Sequence, residues 1–123
     1  MMRGIVNADL EATIRRHVAG PNGQRQEVMA IIDTGYNGAL SLPLSTVTAL
    51  ALPPSASRIV TLGDASQRAF DFYTADIHWE GQVHRIRVLC VEGSALVGTA
   101  LLQGYKLEAD FTTGGVVILT PLP

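Results

Sequence analysis

Short apolar runs alternate with turn signals along the chain. Apolar and polar residues alternate in part from Leu10 to Val18, and the run from Gln24 to Ile32 follows the turn Gly20-Pro21-Asn22-Gly23. Alternation of this kind, bounded by glycine, proline and asparagine, is typical of paired β-strands. The pattern therefore predicts that the two runs form a hairpin.

A second hairpin is predicted further along the chain. Ile59 to Leu62 and Ala69 to Trp79 are rich in β-forming residues, and they flank the turn Gly63-Asp64-Ala65-Ser66. Val83 to Val91 and Val116 to Leu119 predict two more strands. Strand signals thus recur at short intervals.

Helix signals are few. Leu44, Val47, Leu50 and Ala51 are spaced for a short amphipathic helix, which the Pro53-Pro54 pair ends. Thr99 to Gln103 is a second short candidate, with Gly104 as its stop. The sequence therefore predicts a mostly-β domain over residues 1–123, built as a barrel or a sandwich.

Composition narrows the possible functions. The chain has 123 residues, of which 47% are hydrophobic and 16% charged, so it is not a disordered chain. A net charge of −2 with scattered basic residues argues against nucleic-acid binding. The only cysteine, Cys90, is interpreted as a small buried hydrophobe, and it suits a reducing compartment. The N-terminus lacks a long apolar run, so we expect no signal peptide, no membrane span and a cytoplasmic location.

Asp33 is unusual for its surroundings. It follows the apolar run Val28-Met29-Ala30-Ile31-Ile32 and precedes Thr34 and Gly35. A carboxylate at the end of a buried strand is costly unless hydrogen bonds or a function explain it. Thr34 offers a hydroxyl group and Gly35 an unhindered N–H, which together can orient the carboxylate. Taken alone, however, Asp-Thr-Gly is also an ordinary turn at the end of a strand.

A second motif changes this interpretation. Ala95-Leu96-Val97-Gly98 is an apolar run ending in glycine, and the paired Leu101 and Leu102 follow it. Together with Ile31-Ile32-Asp33-Thr34-Gly35, it resembles the paired motifs of retropepsin-like (retroviral-type, clan AA) single-domain aspartic peptidases. The turn at Gly63 to Ser66 lies between the motifs, where that family has its flap. The details look closer to bacterial and archaeal members than to viral ones.

The resemblance implies a fold and a mechanism. The fold is a closed acid-protease β-barrel with one or two short helices. The activity is peptide hydrolysis in a homodimer without metal or cofactor, with Asp33, Thr34 and Gly35 as the catalytic triplet of each copy. The substrate is an extended peptide. The residues expected to bind it follow the triplet, form the flap turn or lie in the second motif: Tyr36, Asn37, Gly63, Asp64, Ala65, Ser66, Val97 and Gly98. On sequence grounds Tyr36 either walls the cleft or is a partly buried structural residue.

Two departures from the viral pattern leave a second function open. Viral members pair an acidic residue after the triplet with an arginine after the second glycine, and Asn37 and Thr99 stand at the corresponding positions. The flap turn also has one glycine rather than several. The alternative is therefore a dimeric peptide-binding or scaffold module on the same fold with little or no activity, and a third is a fold that works only inside a larger assembly.

Other catalytic chemistries have little support in the sequence. The histidines His17, His78 and His84 are too scattered for a zinc site, and the serines Ser41, Ser45 and Ser66 lack the setting of a nucleophile elbow.

Candidate dimer contacts are the N-terminal segment and the Val116 to Leu119 strand. Met2 to Asn7 is also a candidate to pair with the C-terminus.

Overall fold

The computed structural model describes residues 1–61 and 64–123, with only the backbone of Val60. Within these residues the chain is mostly β, with 56% of it in strands and two short helices. The strands are β1 (Met2–Val6), β2 (Ala12–Ala19), β3 (Arg25–Ile32), β4 (Leu40–Leu42), β5 (Pro54–Thr61), β6 (Gln67–Trp79), β7 (Gln82–Cys90), β8 (Ala95–Val97), β9 (Tyr105–Ala109) and β10 (Val116–Pro121). The helices are α1 (Leu44–Ala49) and α2 (Thr99–Leu102).

The strands form one sheet that closes on itself. Its order is β5-β6-β7-β4-β8-β3-β2-β1-β10-β9, and an additional pairing joins β6 to β2. That pairing sets Val18 opposite Ile77 and Ala19 opposite Asp76. It closes a barrel of the six strands from β6 to β2, which confirms the predicted mostly-β closed barrel with short helices.

Both predicted hairpins form. β2 pairs with β3 in antiparallel fashion, with Thr13 opposite Ile31, and Gly23 in the connecting turn has a φ of +83°. β5 pairs with β6, but β5 begins at Pro54, earlier than the predicted Ile59. A proline is tolerated there because β5 is an edge strand, where a missing N–H disrupts no ladder. Leu62, the predicted end of that strand, lies outside the described residues.

The N- and C-terminal segments pair within the chain. β1 lies between β2 and β10, with Met2 opposite Leu119, as the possible pairing of Met2 to Asn7 with the C-terminus suggested. One edge of β1 therefore pairs with β10 from Met2 to Ile5, and the other pairs with β2 only at Ile5 and Val6. β9 was not predicted from the sequence; it pairs with β10 and forms one end of the sheet.

The core fills the barrel with aliphatic side chains. Strands β1, β2, β4, β6, β7, β8 and β10 all contribute fully buried side chains, among them Val6, Ile14, Leu40, Ile77, Val88, Val97 and Leu119. Cys90 is only half-buried and packs against this core. Neither helix of the described residues has the length and apolar composition needed to cross a bilayer.

Candidate active site

The register of two parallel strands places the two sequence motifs side by side. β3 and β8 pair with Ile32 opposite Val97, so the residue after each strand emerges at the same end. The backbone N–H of Asp33 donates to the carbonyl oxygen of Val97 at 2.9 Å. Val97 therefore contributes to the site through its backbone carbonyl group, because its side chain is fully buried.

The loop after β3 holds the carboxylate of Asp33 in one orientation. The N–H of Gly35 donates to Oδ1 of Asp33 at 2.8 Å, and the N–H of Tyr36 donates to the carbonyl oxygen of Asp33 at 3.2 Å. A Cβ atom on residue 35 would lie 3.2 Å from that same Oδ1. Gly35 thus gives the carboxylate a donor at close range without crowding it.

Gly98 is packed too closely for any side chain. A Cβ atom there would lie 2.1 Å from the carbonyl oxygen of Gly38 and 2.6 Å from both Cδ2 and the carbonyl oxygen of Tyr36. Its own N–H donates to the carbonyl oxygen of Ala39 at 3.0 Å. The glycine of the second motif therefore lets the chain at α2 seat against the loop that carries Asp33.

Hydrogen bonds from Thr99 hold the start of α2 to the same loop. The N–H of Thr99 donates to the carbonyl oxygen of Tyr36 at 2.8 Å, and its hydroxyl Oγ1 lies 3.4 Å from that oxygen. Thr99 stands where the viral pattern has arginine. In this chain a threonine joins the two motifs through the backbone, while Asn37 is exposed.

The ring of Tyr36 lies between the two motifs. It is half-buried, its hydroxyl donates to the carbonyl oxygen of Leu40 at 3.4 Å, and it leaves no room for a Cβ atom on Gly38. Burial raises the pKa of the phenol, so the hydroxyl stays protonated and able to donate at neutral pH. This packing indicates that Tyr36 supports the loop that carries Asp33. Contact between Tyr36 and substrate stays a prediction.

Ser41 supports β8 from inside the sheet. Its side chain is fully buried, and its Oγ accepts a hydrogen bond from the N–H of Leu96 at 3.2 Å. Sequence reasoning considered Ser41 only as a nucleophile, because nothing local shows that β4 and β8 become neighbours. The serine instead satisfies a backbone donor two residues before Gly98.

Asp33 opens onto a surface depression of about 400 Å³. Thr34 lies beside it, exposed, and the apolar walls come from Ile31 and Leu96. Five further lining residues were missed by sequence reasoning because they come from distant turns, the start of β2 and the β9 edge: Leu10, Glu11, Ala12, Leu107 and Phe111. Asp33 is thus reachable from solvent through a mainly apolar opening.

The turn before β2 gives the depression its apolar rim. The side chain of Asn7 accepts hydrogen bonds from the N–H groups of Asp9 and Glu11 at 3.0 and 2.9 Å, which fixes the turn. Leu10 sits in this turn at a φ of +60° with its side chain half exposed. The turn therefore presents an apolar side chain to the depression.

The flap turn lies apart from these contacts. The N–H and hydroxyl of Ser66 both donate to Oδ1 of Asp64, at 3.0 and 2.6 Å, and these bonds lower the pKa of the Asp64 carboxyl. Ala65 takes a positive φ of 66°. None of Asp64, Ala65 and Ser66 is among the described residues that line the depression, and Gly63 lies outside the described residues. Their contact with substrate stays a prediction.

No metal centre is evident in the part of the chain that the structure describes. No group of three His, Cys, Asp or Glu side chains there is placed to hold an ion. His17 and His78 do meet edge to face, with ring centroids 6.2 Å apart, and His17 lies 3.9 Å from a carboxylate oxygen of Glu27.

Two solved structures share this fold. The chain matches the EIAV protease complexed with the inhibitor HBY-793 with a TM-score of 0.57 and 16% identity, over 79% of this chain and 89% of that one. It matches a retropepsin-like aspartic protease from Rickettsia conorii with a TM-score of 0.59 and 15% identity, over 96% of this chain and 87% of that one. No family model and no curated protein matches the sequence. The likeness shows the retropepsin-like fold, and the neighbours that carry it are aspartic proteases.

Proposed function

We propose that this protein is an aspartic endopeptidase whose site is completed by a second copy of the chain. The observation that carries the proposal is the setting of Asp33: an oriented carboxylate at the mouth of an open depression, in a fold shared with aspartic proteases. The sequence contains one Asp-Thr-Gly triplet, whereas metal-free peptide hydrolysis of this type uses two carboxylates. A two-fold homodimer brings the two Asp33 residues face to face.

The proposed chemistry uses one water molecule between the two carboxylates. Facing carboxylates share a proton, because two like charges at close range cannot both form. The ionised Asp33 takes a proton from the water, and the protonated Asp33 of the other copy donates a hydrogen bond to the peptide carbonyl oxygen. The Gly35 N–H holds Oδ1, so Oδ2 is the oxygen free to change its proton.

The substrate is an extended peptide with an apolar residue near the cleaved bond. The walls beside Asp33 support this, because Leu10, Ile31, Leu96 and Phe111 line the depression. The long β5–β6 hairpin provides an exposed strand edge next to which an extended peptide can pair. The triplet's Thr34 is exposed beside Asp33, where it can meet its copy across the two-fold axis.

The test is a peptide-library digestion from acidic to neutral pH, with the wild type and the Asp33→Asn variant in parallel. We expect the wild type to cleave beside apolar residues and the variant to lose activity on the order of a thousandfold or more. Circular dichroism and sedimentation should show that the Asp33→Asn variant keeps the fold and the dimeric state of the wild type. Cleavage by the variant at the wild-type rate would refute the proposal. A wild type that binds peptides without cleaving them would instead favour the silent peptide-binding module.

A further inference from the structure

The sheet ends in two edge strands, and only one of them has a self-complementary charge pattern. The ends are β5 and β9. β5 carries a single charged residue, Arg58, so two copies of β5 paired together have no opposite charges to match. β9 carries Lys106 and Glu108, one on each side of its central residue Leu107.

The free edge of β9 presents the backbone of its odd-numbered residues. On the other edge, the N–H of Asp110 donates to Val116 at 3.0 Å and the N–H of Leu122 donates to Gly104 at 2.8 Å. Hydrogen-bonding positions alternate with a period of two along an antiparallel ladder, so the even positions between 104 and 110 face β10. The backbone groups of Tyr105, Leu107 and Ala109 therefore point away from the sheet.

We infer that β9 pairs with β9 of a second copy, antiparallel and centred on Leu107. In this register Leu107 exchanges N–H···O=C bonds with its own copy, and Tyr105 does so with Ala109 of the other copy. Lys106 of each copy then stands directly opposite Glu108 of the other, at the closely spaced, non-hydrogen-bonded positions where side chains interact most. Lys106 and Glu108 are exposed, and within one chain Nζ of Lys106 lies 2.6 Å from Oε1 of Glu108. The cross-strand pairs replace this ion pair in the dimer.

The location of β9 suits the site. Leu107 lines the same depression as Asp33 and Thr34, so a two-fold axis through Leu107 sets the two depressions next to each other. The N-terminal strand β1 is less suited to this contact, because β10 occupies one of its edges and β2 pairs with the other at Ile5 and Val6. The inference rests on the proposed function, because it names the surface through which two copies bring their Asp33 residues together.

Charge reversal tests the register. In sedimentation equilibrium at low salt, we expect Lys106→Glu and Glu108→Lys each to raise the dimer Kd by roughly tenfold or more, because both cross-strand pairs become repulsive. An equimolar mixture of the two variants should form heterodimers at close to the wild-type Kd, because one strand is then acidic and the other basic. The Lys106–Glu108 pair within one chain cannot explain that rescue, since each variant chain carries like charges.

Two further variants separate strand pairing from general effects. Ala109→Pro removes an outward N–H without breaking a bond to β10, so we expect a folded protein with a weakened dimer. Arg58→Glu, the matched reversal on β5, should leave the dimer Kd unchanged.

A wild type that is monomeric at all concentrations, or a dimer insensitive to both reversals, would overturn the inference. The proposed function is judged separately by cleavage. Dimers that respond to the reversals as expected but cleave no peptide would refute the peptidase and leave the strand pairing in place. Dimers that cleave peptide but whose Kd is unchanged by both reversals would refute the strand pairing and leave the proposed function in place.

Discussion

The backbone N–H of Asp33 donates to the carbonyl oxygen of Val97 at 2.9 Å, which joins two motifs that are far apart in the sequence. The bond continues the parallel pairing of β3 and β8 by one residue. Asp33 therefore leaves the sheet at a fixed point, and the Gly35 N–H fixes the rotation of its carboxylate. The position of the candidate catalytic group is set by the barrel and not by a flexible loop.

The other carboxylate beside Asp33 within the same chain gives the first prediction. Glu11 lines the same depression, and its Oε1 accepts a hydrogen bond from Nδ2 of Asn7 at 3.1 Å. We expect Glu11→Gln to retain peptidase activity within roughly threefold, because the glutamine oxygen keeps that bond and the second catalytic carboxylate comes from the other copy. Steady-state kcat/KM on one cleaved peptide measures this. A loss as large as that of Asp33→Asn would place both carboxylates in one chain.

The two motif glycines are predicted to act differently. Gly98→Ala should lower the free energy of unfolding by about 3 kcal/mol, because its methyl group meets backbone oxygens that cannot move aside. Gly35→Ala should leave folding nearly unchanged, since its closest contact is the movable carboxylate of Asp33, but it should lower kcat/KM by roughly tenfold or more. Urea denaturation and kinetics on the two variants separate these effects. Equal stabilities would contradict the assignment of Gly98.

Ser41 provides a prediction that concerns stability. Ser41→Ala removes the hydroxyl that accepts from the N–H of Leu96, but β4 and β8 still pair Ser41 with Leu96, so we expect a cost of about 1 kcal/mol in the free energy of unfolding. Ser45→Ala, at an exposed position on α1, is the matched control and should change stability by less than about 0.5 kcal/mol. A Ser41→Ala protein as stable as the control would show that the buried hydroxyl has no structural role.

Local patterns predicted the elements whose signals are contained within them. The Gly20 to Gly23 turn marked the β2–β3 hairpin, and Gly104 marked the end of α2, whereas α1 ends at Ala49, four residues before Pro53. β9 was missed although Tyr105 to Ala109 alternates apolar and polar residues, because the run is only five residues long and directly follows a candidate helix. Its pairing with β10 stabilises it as a strand. Its strand character depends on a tertiary contact that propensity does not record.

The residues of the candidate site also differ in whether the sequence could identify them. Asp33 and Gly98 could be singled out because each breaks its surroundings: a charge after an apolar run, and a glycine before a helix. Leu10, Leu107 and Phe111 could not, because only the closed sheet brings their turns and strand to the depression. For Tyr36 the sequence left two interpretations open, a cleft wall or a partly buried structural residue, and only the structure shows that its ring is half-buried against Gly38 and Gly98.

Mixing wild-type and Asp33→Asn chains tests the shared site most directly. Both chains should dimerise with the same Kd. After subunit exchange at constant total protein, the share of dimers that contain two wild-type chains should therefore equal the square of the wild-type fraction. An equal mixture should keep about a quarter of the activity of undiluted wild type, because a heterodimer has only one competent Asp33. Activity that falls in direct proportion, with about half remaining in the equal mixture, would show that each chain works alone and would contradict the account.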